Sequence, residues 1–268
     1  MELSDYLARI GHSGPVRPDL ATLRALHRAH LFAIPYENLD VQLGRPVVTD
    51  PAGAYARIVG RGRRGGWCYE MNGLLGWALG EVGFKVTRLA GGVVRELVGD
   101  EMVGNHLVLR VDLPEGPWIA DVGFGDGPVE AYPLRDGSFS QRGFTYGLRD
   151  VGDGWWRLTN HPEGGARSFD FRAEAADEAL LNRQCAFLQT SERSPFIQNL
   201  ICQRPVDGAV MQLRGRVLRT VRPDSFDERL IQSEVEFMQV LADVYGIEDP
   251  DLPRLWAKVC ERHAQVFA

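Results

Sequence analysis

Near residue 85 the hydrophobic period of this chain changes, and that change limits its fold more than any other feature. From Leu3 to about Gly83, apolar residues such as Leu20, Leu23, Leu26 and Leu31 recur at spacings of three to five, with breaks at Pro18 and Pro35. That is the spacing of a helix face, so a small helical bundle is expected. Between about Val86 and Phe171 the chain turns to short β-branched and aromatic runs cut by Gly, Asp and Pro: VTRLAGGVV, HLVLRVDL, WIADVGF, FTYGL and WWRLTN. These favour an antiparallel sheet or barrel. From Ala173, AEAADEALLNRQCAFLQT returns to a helical pattern, and AVMQLRGRVLRTV from Ala209 reads as strands about a turn near Gly215. Two last helices are expected in DERLIQSEVEFMQVLADVYG and in PRLWAKVCERHAQVF, where Pro253 suits a first helical position. The fold class is therefore α+β, with helices, then sheet, then a mixed C-terminal unit.

The 268 residues, 44% of them hydrophobic and 25% charged, are enough for a real core. With 30 Lys and Arg against 36 Asp and Glu, the net charge of -6 argues against a whole-chain attraction to nucleic acid or an anionic membrane. No apolar run approaches the roughly 18 residues of a spanning helix, and the N-terminus lacks a secretory pattern, so a cytoplasmic protein is expected. Cys68, Cys185, Cys202 and Cys260 are far apart and form no CxxC, which argues against a zinc ribbon or a disulfide framework.

One cysteine stands in a special place. In Arg64-Gly65-Gly66-Trp67-Cys68-Tyr69-Glu70-Met71-Asn72, two glycines lead into a helical pattern whose face is Met71, Leu74, Leu75, Ala78 and Leu79. Cys68 is thus expected at a helix N-terminus, where unpaired N–H groups and the helix dipole favour an anion and a carbonyl can approach closely. Downstream, His106 opens the alternating run HLVLRV, and the next strand, from Trp118, ends at Asp121 beside a glycine-rich turn. Two adjacent strands can present His106 and Asp121 side by side, the acid fixing the imidazole tautomer and the other nitrogen facing the sulfur. The run Gly123-Phe124-Gly125-Asp126-Gly127 lacks a full dinucleotide fingerprint.

RGGWCYEMN around Cys68, the strand-borne His106, DVGFG from Asp121, and LHRAHLFAIPYENLD from Leu26 together resemble the arylamine N-acetyltransferases. That resemblance implies a helical bundle over residues 1–85, a β-barrel over 86–190, and an interdomain segment with an α/β lid over 191–268, about a cysteine-protease-like catalytic core. It implies Cys68 as nucleophile, His106 as base and then acid, and Asp121 as the residue orienting His106. Glu37 and Arg64 match a buried pair supporting the cysteine loop. Phe124, with Tyr69 second, is expected to wall an acceptor pocket, and Gly123 and Gly125 to allow close approach of the coenzyme. Asn105 stands where family members often carry Thr beside the coenzyme. His27 and His30 are read as packing or capping residues, with no metal.

The function implied is ping-pong transfer of an acetyl or short acyl group from acyl-coenzyme A to an arylamine or arylhydrazine, with acetyl-CoA as co-substrate and no tightly bound cofactor. No nucleic-acid or membrane partner is expected, and a homo-oligomer stays open. The coenzyme phosphates call for basic residues, yet these are dispersed and none is singled out. Three alternatives remain: a macrolactam-forming amide synthase, a papain- or transglutaminase-like cysteine hydrolase, and a binding module that keeps the fold without the chemistry.

Overall fold

A computed structural model describes residues 1–60 and 64–267. The N-terminal part holds α1 (Leu3–Arg9), α2 (Leu20–Ala33), the short strand β1 (Tyr36–Glu37), α3 (Leu39–Gln42), α4 (Pro51–Tyr55), which runs into a π-helical turn at Ala56–Gly60, and α5 (Cys68–Val82). Asp19 caps α2 by accepting from Thr22 N at 2.8 Å. Asp50, followed by Pro51, caps α4. Gly83, at φ +102°, ends α5 in the left-handed conformation that glycine adopts without strain. Every residue of α5 from Cys68 to Leu75 is buried, because the helix runs through the middle of the molecule. Its Met71, Leu74, Leu75, Ala78 and Leu79 pack with Tyr6, Leu23 and Leu26 on one side and Leu109 and Val111 on the other.

The central part holds β2 (Lys85–Val93), α6 (Arg95–Val98), a 3-10 turn (Asp100–Met102), β3 (His106–Leu113), β4 (Gly116–Ala120), β5 (Tyr132–Pro133), β6 (Gly137–Gln141), β7 (Phe144–Gly152), β8 (Trp155–Thr159) and β9 (Ser168–Arg172). They form an antiparallel sheet in the order β5-β4-β3-β2-β9-β8-β7-β6. The expected barrel is corrected here: the sheet is a curled half-barrel whose end strands, β5 and β6, share no ladder. β5 is too short and carries Pro133, which has no N–H to donate. Side chains join the two ends instead. Tyr132 stacks on Phe139 at 5.0 Å, and the Gln141 amide meets Glu130 N and O, each at 2.9 Å. Leu89, Val108, Ile119, Leu148, Leu158, Phe169 and Phe171 share one cluster, while Leu109 and Val111 join the helical core. The alternation of β3 thus faces α5 on one side and a second core on the other.

The remaining chain holds α7 (Glu178–Thr190), α8 (Pro195–Gln198), β10 (Ile201–Val206), β11 (Ala209–Arg214), β12 (Val217–Arg222), β13 (Ser225–Leu230), α9 (Glu234–Asp243), a 3-10 turn (Leu252–Arg254) and α10 (Leu255–Phe267). A second antiparallel sheet runs β1-β10-β11-β12-β13, with Tyr36 opposite Gln203 and Glu37 opposite Cys202. β1 also bridges Gly66 through Tyr36, so the turn before Cys68 is tied to this sheet. The helix expected from Asp227 starts later. Asp227–Leu230 pair with β12, and α9 begins only where Ser233 caps it by accepting from Glu236 N at 3.2 Å. Among the described residues no helix is long and apolar enough to cross a membrane.

Candidate active site

The turn that precedes α5 is pinned from several sides. A Cβ at Gly65 would fall 1.8 Å from Pro35 O, so only glycine fits there. Glu37 Oε1 accepts from Gly65 N at 3.2 Å, and Glu37 Oε2 from Leu39 N at 2.6 Å. Arg64 forks onto Glu37 (Nε, 3.1 Å), Asp40 (2.9 Å) and Asp249 (2.9 Å). Arg57 meets Glu37, Asp40 and Glu70, and Arg45 meets Asp249 and Asp251. Glu70 also accepts from Trp67 N, one residue before the thiol. Its carboxyl is pushed up to about 7, chiefly by burial and against the pull of Arg57. Arg64 and Glu37 thus lie in a buried ion network that holds the turn leading to Cys68.

Cys68 is the first residue of α5, and the first-turn N–H groups of a helix have no intrahelical acceptor. His106 is the first residue of β3, and Asp121 follows the last residue of β4. His106 Nε2 lies 2.7 Å from Asp121 Oδ2, which leaves Nδ1 for the Cys68 thiol with which the ring also interacts. All three side chains are buried. Burial alone would lower the His106 pKa, but the Asp121 charge and hydrogen bond, with Cys68, raise it to about 10. Burial pulls the Asp121 carboxyl up; His106, Asn72 and the Gly123 amide outweigh it and hold it below its usual range. His106 is therefore held as an imidazolium beside the sulfur at neutral pH, an arrangement in which the thiol can serve as nucleophile and the ring as proton donor.

Asn72, one turn after Cys68, escaped the sequence reading. Its amide donates to Leu107 O at 2.6 Å and Asp121 Oδ1 at 2.7 Å, and its oxygen accepts from Val122 N at 2.8 Å. The Cys-x-x-x-Asn spacing on one helix face was the available signal. A Cβ at Gly123 would lie 2.6 Å from Cys68 Cα, and one at Gly125, where φ is +87°, would lie 1.9 Å from Gln203 Oε1. The DVGFG loop is therefore drawn against the cysteine on one side and the second sheet on the other. Between these glycines the Phe124 ring sits 5.6 Å from His106 and 4.9 Å from Phe169.

Phe124, Asn105, Gly123, Cys68 and His106 all line a cleft of about 790 Å³ that extends to Arg214, Arg216, Arg219 and Arg262. The volume falls in the range of small-molecule sites. Asn105 meets the sulfur with its carbonyl at 3.9 Å and holds Val93 N with Oδ1 at 2.8 Å, so its side chain braces β2. The expectation that Tyr69 walls the pocket is corrected. It is 0% exposed and outside the cleft lining, its ring packed on Trp67 and its hydroxyl donating to Gly104 O at 2.7 Å. It steadies the segment before His106. His30 bonds the Tyr6 hydroxyl at 2.9 Å, and His27 bonds the Asp121 amide at 3.0 Å. Among the described residues no group of three or more His, Cys, Asp or Glu is placed to hold a metal ion.

The His106 pKa makes a prediction about stability. A histidine raised in the fold from 6.5 to about 10 contributes stability that is full below pH 6.5 and is lost as pH rises through 10. The melting temperature of the parent should fall over that window, and His106→Gln should flatten the decline. An equal slope in both proteins would assign it to other groups.

A sequence model of the N-acetyltransferase family matches residues 19–250. The arylamine N-acetyltransferase of Mycolicibacterium smegmatis is 37% identical over 268 residues, covering 94% of this chain and 94% of that protein. That of Mycobacterium bovis is 30% identical, over 94% of this chain and 91% of its own length. Among solved structures, the Mycobacterium marinum arylamine N-acetyltransferase in complex with CoA has a TM-score of 0.87 at 32% identity, covering 96% of this chain and 98% of that one. The Salmonella typhimurium enzyme has a TM-score of 0.84 at 27% identity, over 96% and 97%. With a family model over most of its length and relatives at 30–37% identity over 94% of it, this chain belongs to the arylamine N-acetyltransferase family.

Proposed function

We propose that the chain moves an acetyl or other short acyl group from acyl-coenzyme A to the nitrogen of an arylamine or arylhydrazine, in two half-reactions through a thioester on Cys68. The observation that carries this reading is the Cys68, His106 and Asp121 constellation, with Cys68 and His106 lining a cleft, in a member of this family. In the first half-reaction the Cys68 sulfur attacks the acyl carbonyl, and first-turn amides of α5 receive the oxyanion. The carbon–sulfur bond to coenzyme A breaks, and His106 gives its proton to the departing thiolate. In the second, the amine nitrogen attacks the thioester, His106 takes its proton, and Cys68 leaves as thiolate beside the restored imidazolium. Asp121 keeps Nε2 occupied throughout, so the proton moves on Nδ1.

Arg214, Arg216 and Arg262, which line the same cleft, suit the coenzyme phosphates, while Arg219 is paired with Glu163 at 2.8 Å. Phe124 is our candidate for the acceptor's aromatic wall, with Gly123 letting the donor approach the backbone; the same role expected of Gly125 is corrected, because Gly125 lies outside the cleft lining, packed against Gln203. We place the activity in the cytoplasm, on the strength of dispersed free cysteines, three of them buried.

The test is intact mass after brief exposure to acetyl-, propionyl- or malonyl-coenzyme A without amine. The parent should gain one acyl group, lose it on addition of aniline, and Cys68→Ala should gain none. No adduct and no free coenzyme from any donor would overturn the assignment. Coenzyme release at the same rate with and without amine would mark a hydrolase instead.

A further inference from the structure

Nine residues, Asp121 to Val129, run from the end of β4 toward β5, and they carry both the carboxylate that holds His106 and the Phe124 ring that lines the cleft. A single buried side chain of α2 meets this loop at both ends. Asp121 N donates to His27 Nε2 at 3.0 Å, and His27 Nδ1 lies 3.0 Å from Val129 O. The two partners determine the ring's protons: a carbonyl only accepts, so Nδ1 carries hydrogen; a peptide N–H only donates, so Nε2 is bare. A second proton would set two donors against each other. The ring is 0% exposed, and α2 packs Leu23 and Leu26 in the same cluster as Val122 and Val129, so the clamp is rigid.

We propose that His27 is a positioning residue: its neutral imidazole ties the two ends of the Asp121–Val129 loop to α2 and so aims the Asp121 carboxylate at His106. This rests on the roles proposed above for Asp121 and His106. The reason for a histidine is geometric. Asn72 and the Gly123 amide fix one carboxylate oxygen from the side-chain end, but Asp121's main chain is held at its amide by His27. A carboxylate anchored at the side chain alone can pivot about Cα, and the bond to His106 is what such a pivot alters. The titratable groups facing His27 are Asp121, Glu130 and His30, and burial, ahead of the raising influence of Asp121 and Glu130, holds its pKa down. The clamp therefore stays neutral while His106 beside it carries the proton.

A core histidine that merely packs would change stability alone, so the test reads His106. His27→Gln places an amide oxygen near the position of Nε2 and can still accept from Asp121 N; His27→Asn reaches only Val129 O. In the Asn variant the His106 midpoint, followed by NMR of histidine-labelled protein, should drop by about one pH unit or more. The turnover number should fall on the order of 10- to 100-fold with little change in KM for acetyl-coenzyme A. The Gln variant should recover most of both. A His27→Asn protein that melts lower yet keeps the parent's His106 titration and turnover would overturn the proposal. If neither variant folds, the unmodified protein decides: its His27 should show the Nδ1–H tautomer with a bare Nε2 at neutral pH. An Nε2–H tautomer or a charged ring would refute it. A parent that forms no acyl adduct and releases no free coenzyme would sink the acyl-transfer reading, whereas the two NMR readouts would still judge His27.

Discussion

Asp121→Asn is expected to keep the fold and the thiol and to slow acylation of Cys68 by about 10⁴-fold. The size follows from a tautomer, not from lost charge alone. Asn72 Nδ2 and Gly123 N both donate to Asp121 Oδ1, so an amide at this site must put its oxygen there. Its NH₂ then takes the place of Oδ2 and points at His106 Nε2, which it can only donate to. His106 is left with its hydrogen on Nδ1 and no imidazolium to offer, so it can neither accept a proton from Cys68 nor protonate the departing coenzyme. Single-turnover release of coenzyme A from acetyl-coenzyme A checks this, beside a melting curve to show that the fold survives. A loss smaller than about tenfold would mean that Asp121 only fills space, because orientation of the imidazole would then contribute little to the barrier.

What the sequence disclosed and what it hid divide by the range of the interaction. Cys68 at a helix start follows from Gly65, Gly66 and the apolar face beyond, all within one stretch, and His106 and Asp121 follow from strand patterns a few residues long. The succession of helices, sheet and mixed unit was legible for the same reason. The half-barrel was not, since it depends on Gln141 and Phe139 meeting Glu130 and Tyr132 in place of a ladder. Asp227–Leu230 continued the apolar spacing of α9 but joined β12, because a neighbouring strand's free edge outweighs local propensity. Tyr69 looked like a pocket wall from its place beside the thiol, yet a helix turns each successive side chain by about 100° and carried it into the interior. The role proposed for His27 depends on Asp121 and Val129, and that proposed for the cleft arginines on how the β11–β12 turn and α10 come together. The Arg214-Gly215-Arg216 turn was visible in the sequence; the cleft it faces was not.

The largest loss of stability is expected from Arg64→Ala. Arg64 is 3% exposed, and its guanidinium meets Glu37, Asp40 and Asp249, carboxylates contributed by β1, α3 and the segment after α9. Among the described residues, its removal leaves these acids to Arg57 and Arg45, each of which already serves another carboxylate, Glu70 and Asp251 respectively. Breaking one side of a buried ion pair costs about 3–5 kcal/mol. At about 2–4 °C per kcal/mol for chains near this length, the melting temperature should drop by roughly 10 °C. Arg64→Lys should fall between, since a single ammonium cannot fork to three acids at once. The loss should also reach the thiol: Glu37 Oε1 accepts from both Arg64 and Gly65 N, so freeing Glu37 loosens the turn that aims Cys68. Acylation at a temperature where the variant is still folded should therefore slow as well. A drop of only a degree or two would show that Arg45 and Arg57 suffice to neutralise the cluster, and that the cysteine turn is held by Gly65 against Pro35 rather than by charge.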